Sequence, residues 1–218
     1  MKELILVVRD ALGACRVGVV SGVPLLLATL VLSSCASLDT PGGSEVERFD
    51  AGGFQITEDA RFGLAVRSDF RSALDLLQDE RYPEGIRLLE EIVDAAPGAT
   101  VAHINLGIAY AATDELGPAG ESLDRALALN PRHPAAHNEL GIVRRRQGRF
   151  AEARSHYEAA LDFYPGFHLA RRNLAILCDV YLNDRPCALE HYERYAAGSP
   201  EDQKVSMWIA DLRNRLEE

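Results

Sequence analysis

Aromatic residues are scarce in this chain, at 7% of positions with a single tryptophan, and cysteine occurs only four times. An excess of positive charge is missing too: 23 Lys and Arg stand against 33 Asp and Glu, a formal net charge of −10. A protein that tracks a phosphate backbone needs a basic face, so nucleic acid is not expected as a partner. No apolar run reaches the roughly 20 residues of a permanent membrane-spanning helix. The chain carries no Gly-x-Ser-x-Gly elbow, phosphate loop, dinucleotide fingerprint or Cys-x-x-Cys pair. Those absences argue against hydrolase, nucleotide-binding and dithiol redox chemistry. No enzyme activity, cofactor or small-molecule substrate is expected.

What remains is 47% hydrophobic and 26% charged, the balance of a folded body. Ala, Leu, Glu and Arg are plentiful. Their unbranched side chains lose little rotamer freedom in a helix, so an all-α fold is expected.

Residues 1–34 read as an export leader. Lys2, Arg9 and Arg16 precede Val17–Leu32, an apolar stretch interrupted by Ser21, Thr29, Gly18, Gly22 and Pro24. It ends in Leu32-Ser33-Ser34-Cys35, which resembles the lipobox of bacterial lipoproteins. The resemblance implies cleavage before Cys35 and lipidation of that residue. Ala36 and Ser37 follow, with no Asp beside the Cys. Gram-negative sorting then implies the outer membrane, facing the periplasm. More than one fatty chain is a sufficient anchor, at about 0.8 kcal/mol per buried CH₂.

Residues 35–57 are rich in Gly, Ser, Pro and acidic side chains and are expected to be a flexible tether. Phe54 and Ile56 flank Gln55, so the end of this stretch has the alternative of an extended strip.

A period of 34 residues organises the rest. Asn105-Leu106-Gly107, Ala119, Leu123, Ala126 and Pro131 recur as Glu139-Leu140-Gly141, Ala153, Tyr157, Ala160 and Pro165. A third copy holds Asn173-Leu174-Ala175, Ala188, Tyr192 and Pro200, one residue longer after its turn. A weaker copy upstream holds Ala73, Tyr82, Leu89, Ile92 and Pro97. Each copy is a pair of antiparallel helices that approach closely at small residues and are ended by Pro. One hairpin cannot bury its apolar face, so the copies must stack.

The small-residue, aromatic and Pro positions resemble the tetratricopeptide repeat (TPR) over about residues 66–200. That resemblance implies a right-handed helical solenoid over 58–200, with repeats near 66–99, 100–133, 134–167 and 168–201. The large residue usual at the fourth repeat position is replaced by His103, His137 and Arg171. Beyond the last repeat, Ser199 is the expected N-cap of a capping helix over 201–218. Its apolar stripe is Val205, Trp208, Ile209, Leu212 and Leu216.

In the TPR family the first helix of each hairpin lines a concave groove. Carried onto this chain, the lining is Phe70, Leu74, Ile104, Asn105, Ile108, Asn138, Ile142, Arg145, Arg172, Asn173 and Ile176. Asn side chains there are expected to meet a peptide backbone, and Arg145 and Arg172 a carboxylate.

Cys178 and Cys187 flank the turn 182–186, close enough for a disulfide in an oxidising compartment, the alternative being two buried thiols. His133 and His137 stand four apart, but Pro134 interrupts them, and they are assigned to packing and surface rather than to a metal site. The run 144–149 is either a solvated helix end or a docking point for an acidic partner. The functional expectation is a lipid-anchored scaffold of the bacterial cell envelope that binds an envelope protein or peptide segment in its groove. Two narrower readings accompany it: a pilus or secretin assembly lipoprotein, and an accessory component of a TonB-type energy-transducing system.

Overall fold

The structure, a computed structural model, describes residues 45–48, 54–57 and 64–217, with side chains from Val66 onward. Cys35 and its leader lie outside the described residues.

Two short strands stand where a tether was expected: β1 (Glu45–Arg48) pairs antiparallel with β2 (Phe54–Thr57). The register sets Val46 opposite Ile56 and Glu47 opposite Gln55. Apolar and polar positions thus alternate with the period of two that a strand requires. β2 takes the extended alternative open to Phe54-Gln55-Ile56, and its partner β1 falls within the stretch expected to be a tether.

The helices follow the repeat. They are α1 (Leu64–Gln78), α2 (Tyr82–Ala95), α3 (Thr100–Ala112), α4 (Leu116–Leu129), α5 (Pro134–Arg146) and α6 (Phe150–Phe163). Then come α7 (His168–Ile176), α8 (Arg185–Gly198) and α9 (Gln203–Glu217). Each helix packs on the next, and first helices also meet across repeats, α3 on α5 and α5 on α7. Contacts are therefore local, as a solenoid demands.

Within a hairpin the helices touch where a side chain is missing. A Cβ on Gly107 would stand 2.6 Å from Leu123, and one on Gly141 would stand 2.6 Å from the Tyr157 ring. Leu123 and Tyr157 are fully buried, so neither can yield cheaply. Ala119, Ala126, Ala153 and Ala160 on the second helices are likewise fully buried.

Each hairpin turns through a left-handed residue: Glu80 (φ 59°), Asp114 (φ 69°), Gly148 (φ 76°) and Asn183 (φ 51°). In the first three turns the amide three residues beyond the helix donates back five positions, as Arg81 to Leu76, Glu115 to Tyr110 and Arg149 to Arg144. This is the Schellman closure, which satisfies carbonyls left over at a helix end. In the fourth turn Asp184 reaches back six, to Cys178. The extra residue of that repeat therefore lies before its turn, absorbed as a π-helical segment, Leu177–Tyr181, that continues α7. The expectation of an insertion after the turn is corrected accordingly.

The unusual fourth position has a shared role. His103 Nε2 and His137 Nε2 lie 3.1 and 3.0 Å from the carbonyl oxygens of Pro97 and Pro131. Arg171 Nη2 donates to the Pro165 carbonyl at 2.6 Å. A carbonyl only accepts, so each imidazole carries its proton on Nε2. All three side chains tie a first helix to the Pro turn before it. Beside them His133 caps α5, its Nδ1 accepting from the Ala136 amide at 3.2 Å. Burial first, and His137 nearby second, push the His133 imidazole down to about 4.

At the C-terminal end, Asp202 and not Ser199 starts the last helix. Its Oδ1 accepts from the Val205 amide at 3.4 Å, and its Oδ2 from the Tyr195 hydroxyl at 3.2 Å. Val205, Ile209 and Leu212 of α9 are buried, but Trp208 and Leu216 of the expected stripe stay exposed.

Two substitutions test this packing. Glu80→Gly should raise stability by about 1 kcal/mol, because an L-residue in left-handed geometry costs roughly that much. Gly141→Ala should lower it by about 1–3 kcal/mol through overpacking against Tyr157. Urea unfolding of the two variants reads both signs.

Candidate protein-binding groove

The eleven expected lining residues divide by exposure. Phe70, Leu74, Ile104, Asn105 and Asn138 are buried: Phe70 and Leu74 in the core that α1 shares with α2, and the other three on α3 and α5, which meet the next first helix. Their assignment to an open lining is corrected. Ile108, Ile142 and Ile176 remain half-buried, as do Arg145, Arg172 and Asn173. The three isoleucines recur at one repeat position on α3, α5 and α7, so they form a single apolar rail along the first helices.

The asparagines are bonded mainly to the protein itself. Asn105 Nδ2 donates to the Val101 carbonyl at 2.8 Å. Asn138 accepts from Asn173 Nδ2 at 2.9 Å across the α5–α7 contact, and donates to Glu139 at 2.8 Å. The Asn138–Asn173 bond ties neighbouring repeats together, whereas Asn105 bonds within its own helix.

Beside them lie two residues that the sequence analysis missed. Glu139 occupies the repeat position of Asn105 and Asn173, a substitution visible in the 34-residue alignment. Desolvation pushes its carboxyl up to about 7, against the opposing hydrogen bond from Asn138. Tyr181, on the π segment, accepts from Arg145 Nη1 at 3.1 Å, with the guanidinium 5.4 Å from its ring centre. Its ring also leans on Phe150 at 5.0 Å. Only the extra residue of α7 carries Tyr181 to that place, and helical periodicity gave no sign of it.

Arg172 lies 6.0 Å from the Tyr195 ring centre. The Nε atoms of Arg145 and Arg172 are buried without a hydrogen-bond partner. Beyond Arg172 a cleft of about 580 Å³ opens between α7 and α9, bordered by Lys204, Trp208, Asp202 and Glu201. The surface thus offers an isoleucine rail with cationic and aromatic groups at its C-terminal end, suited to holding a chain segment.

The basic run at 144–149 resolves into internal braces. Arg144 pairs with Asp124 at 2.8 Å and Arg146 with Asp114 at 2.7 Å, both joining α5 to the preceding hairpin. Arg149 pairs with Glu152 at 2.6 Å. Cys178 and Cys187 are joined by a disulfide with their α-carbons 5.9 Å apart. Asp184 caps α8 between them, accepting from the Cys187 amide at 3.2 Å.

Glu139 supplies a pH prediction. Its folded pKa lies above the usual carboxylate value near 4.3. The neutral form therefore favours the fold below that value, and this contribution is lost as pH rises towards 7. Glu139→Gln should gain stability relative to the parent across that window, by at most about 1.4 kcal/mol per pH unit. Chemical unfolding of both proteins at pH 4.5, 6 and 8 should show the gap widen and then level.

Comparison with known proteins agrees with this architecture. Family models described as tetratricopeptide repeat match residues 76–141 and 119–166. The chain is 30% identical over 129 residues to the Photosystem I assembly protein Ycf3 of Prochlorococcus marinus subsp. pastoris, covering 52% of this chain and 69% of that protein. In fold it is similar to the pilF protein of Pseudomonas aeruginosa, with a TM-score of 0.64 and 22% identity over 70% of this chain and 69% of that one. It is also similar to MamA from Desulfovibrio magneticus RS-1, with a TM-score of 0.63 and 20% identity over 71% and 87%. With its 34-residue period, its close-packed hairpins and these matches, the chain belongs to the tetratricopeptide-repeat proteins.

Proposed function

We propose that this protein is a lipid-anchored interaction scaffold of the bacterial cell envelope, one that holds a segment of a protein partner along α3, α5 and α7. The single observation that carries the groove is the rail of Ile108, Ile142 and Ile176, half-buried at one repeat position. Buried positions on the same helices complete the core, whereas these three keep apolar surface in reach of a ligand. Arg145, Arg172 and the Trp208 cleft then fix which end of a segment sits where. A carboxylate beside an apolar side chain matches that end.

The anchor rests on the sequence of 1–37. A lipidated Cys35 would tie the solenoid to a membrane surface, and Ala36-Ser37 favours the outer membrane facing the periplasm. A role in assembling a larger complex has one observation in its favour: the relative that shares 30% identity is named for the assembly of Photosystem I. Repeats that grip a partner's segment suit a helper that holds subunits during assembly. A pilus or secretin complex and a TonB-type system are the two candidate settings.

The test is a photoreactive residue at Ile142 or Arg172 of the full chain in its own cells, with the captured protein identified. The expected result is one dominant envelope protein, captured only when Cys35 is intact. The matching segment of that protein should bind the purified chain, and Ile142→Asp should weaken it at least about tenfold, the cost of setting a charge against an apolar contact. Capture only from α9 or from 144–149 would place the working surface outside the groove.

A further inference from the structure

His137 has a partner that its sequence neighbours do not reveal. Its Nδ1 lies 3.1 Å from the Nδ1 of His156, on the facing helix α6. We propose that His137 and His156 form a binding site for a divalent transition cation of the zinc, copper or nickel class. The pair is set apart from the isoleucine rail and serves no part of the groove reading.

Two features of the pair point to a ligand set. The first is the tautomer. The Pro131 carbonyl, 3.0 Å from His137 Nε2, holds the proton of that ring on Nε2 and leaves a lone pair on Nδ1, directed at His156. A backbone carbonyl on the remote ring nitrogen is the support that metal-bound imidazoles commonly have.

The second is spacing. With zinc–nitrogen bonds of about 2.0–2.1 Å in a tetrahedron, two ligand nitrogens stand roughly 3.3 Å apart. The observed 3.1 Å is within about 0.2 Å of that. Without metal, His156 Nδ1–H donates to His137 Nδ1 across this gap; a cation takes the place of that shared proton, which moves to His156 Nε2 or to solvent.

The repeat shows that this juxtaposition is particular to the third hairpin. The corresponding positions of the second hairpin are His103 and Ser122, and those of the fourth are Arg171 and His191. Each of those places carries one imidazole, and only here do two converge. Two protein ligands leave the remaining coordination positions to water or to a side chain brought by a partner. The ring of Phe163, 5.5 Å from His137, covers one side.

The experiment is a zinc titration of the untagged chain with Cys15 and Cys35 replaced by Ser and the Cys178–Cys187 disulfide oxidised, so that no thiol competes. The expected result is one equivalent bound, with a melting temperature that rises with zinc concentration as mass action requires. His156→Ala and His156→Gln should each weaken binding at least about tenfold, on the scale of losing a metal's support, while His191→Ala should leave it unchanged. Electron paramagnetic resonance of the copper(II)-loaded chain should show two nitrogen donors, a readout that does not depend on any variant folding. No saturable binding, binding that survives in both His156 variants, or a copper spectrum without paired nitrogen donors would overturn the site.

Discussion

The contact on which the rest of the molecule depends is the one between Gly141 of α5 and the ring of Tyr157 on α6, repeated as Gly107 against Leu123. There the helices approach so closely that even a methyl group would collide with a fully buried neighbour. This approach sets the thickness of each hairpin, and hence the offset between α3, α5 and α7. The isoleucine rail is a consequence: Ile108, Ile142 and Ile176 line up because the units that carry them have the same shape. Interiors packed to this density resist gradual deformation, so a change at the seam is transmitted along the stack.

Polar groups reinforce that geometry between units instead of within them. Asn138 and Asn173 bond across α5 and α7, Arg144 and Arg146 reach back to the preceding hairpin, and His103, His137 and Arg171 each fasten a first helix to a Pro carbonyl. Surface ion pairs contribute little individually. Arg144 is a partial exception, its side chain being only 12% exposed beside Asp124. A basic run that looks like a docking patch in the sequence is therefore a set of braces.

Much of the fold was legible in the sequence because it rests on period and side-chain size. Gly107, Ala119 and Pro131 recurring at 34 residues identify the hairpins and their limits without reference to any distant contact. What escaped depends on contacts between units or on one-residue shifts. The π segment after α7 places Tyr181 against Arg145, yet its extra residue was assigned to the far side of the turn, since helical periodicity tolerates either. Asn105 and Asn138 read as exposed because position on the first helix does not say how far the following helix covers it. Asp202 displaced Ser199 as N-cap because both residue types suit that role, and only the Tyr195 hydroxyl and the Val205 amide decide between them. Histidines four apart drew attention to His133 and His137, whereas the close pair in space is nineteen residues apart.

A stack of units that bury their faces only on neighbours should be least stable at its ends; among the described residues α1 packs chiefly on α2 and α9 on α8. Met207 of α9 is 71% exposed at a place whose counterparts in earlier repeats, Ile104 and Asn138, are covered. Native-state hydrogen exchange, resolved helix by helix, tests this account most directly. The account predicts the strongest protection in α3 to α7 and a graded fall through α8 to α9 and through α2 to α1. Uniform protection across all the helices, or α5 and α6 opening before the ends, would contradict a solenoid held together by its nearest-neighbour seams.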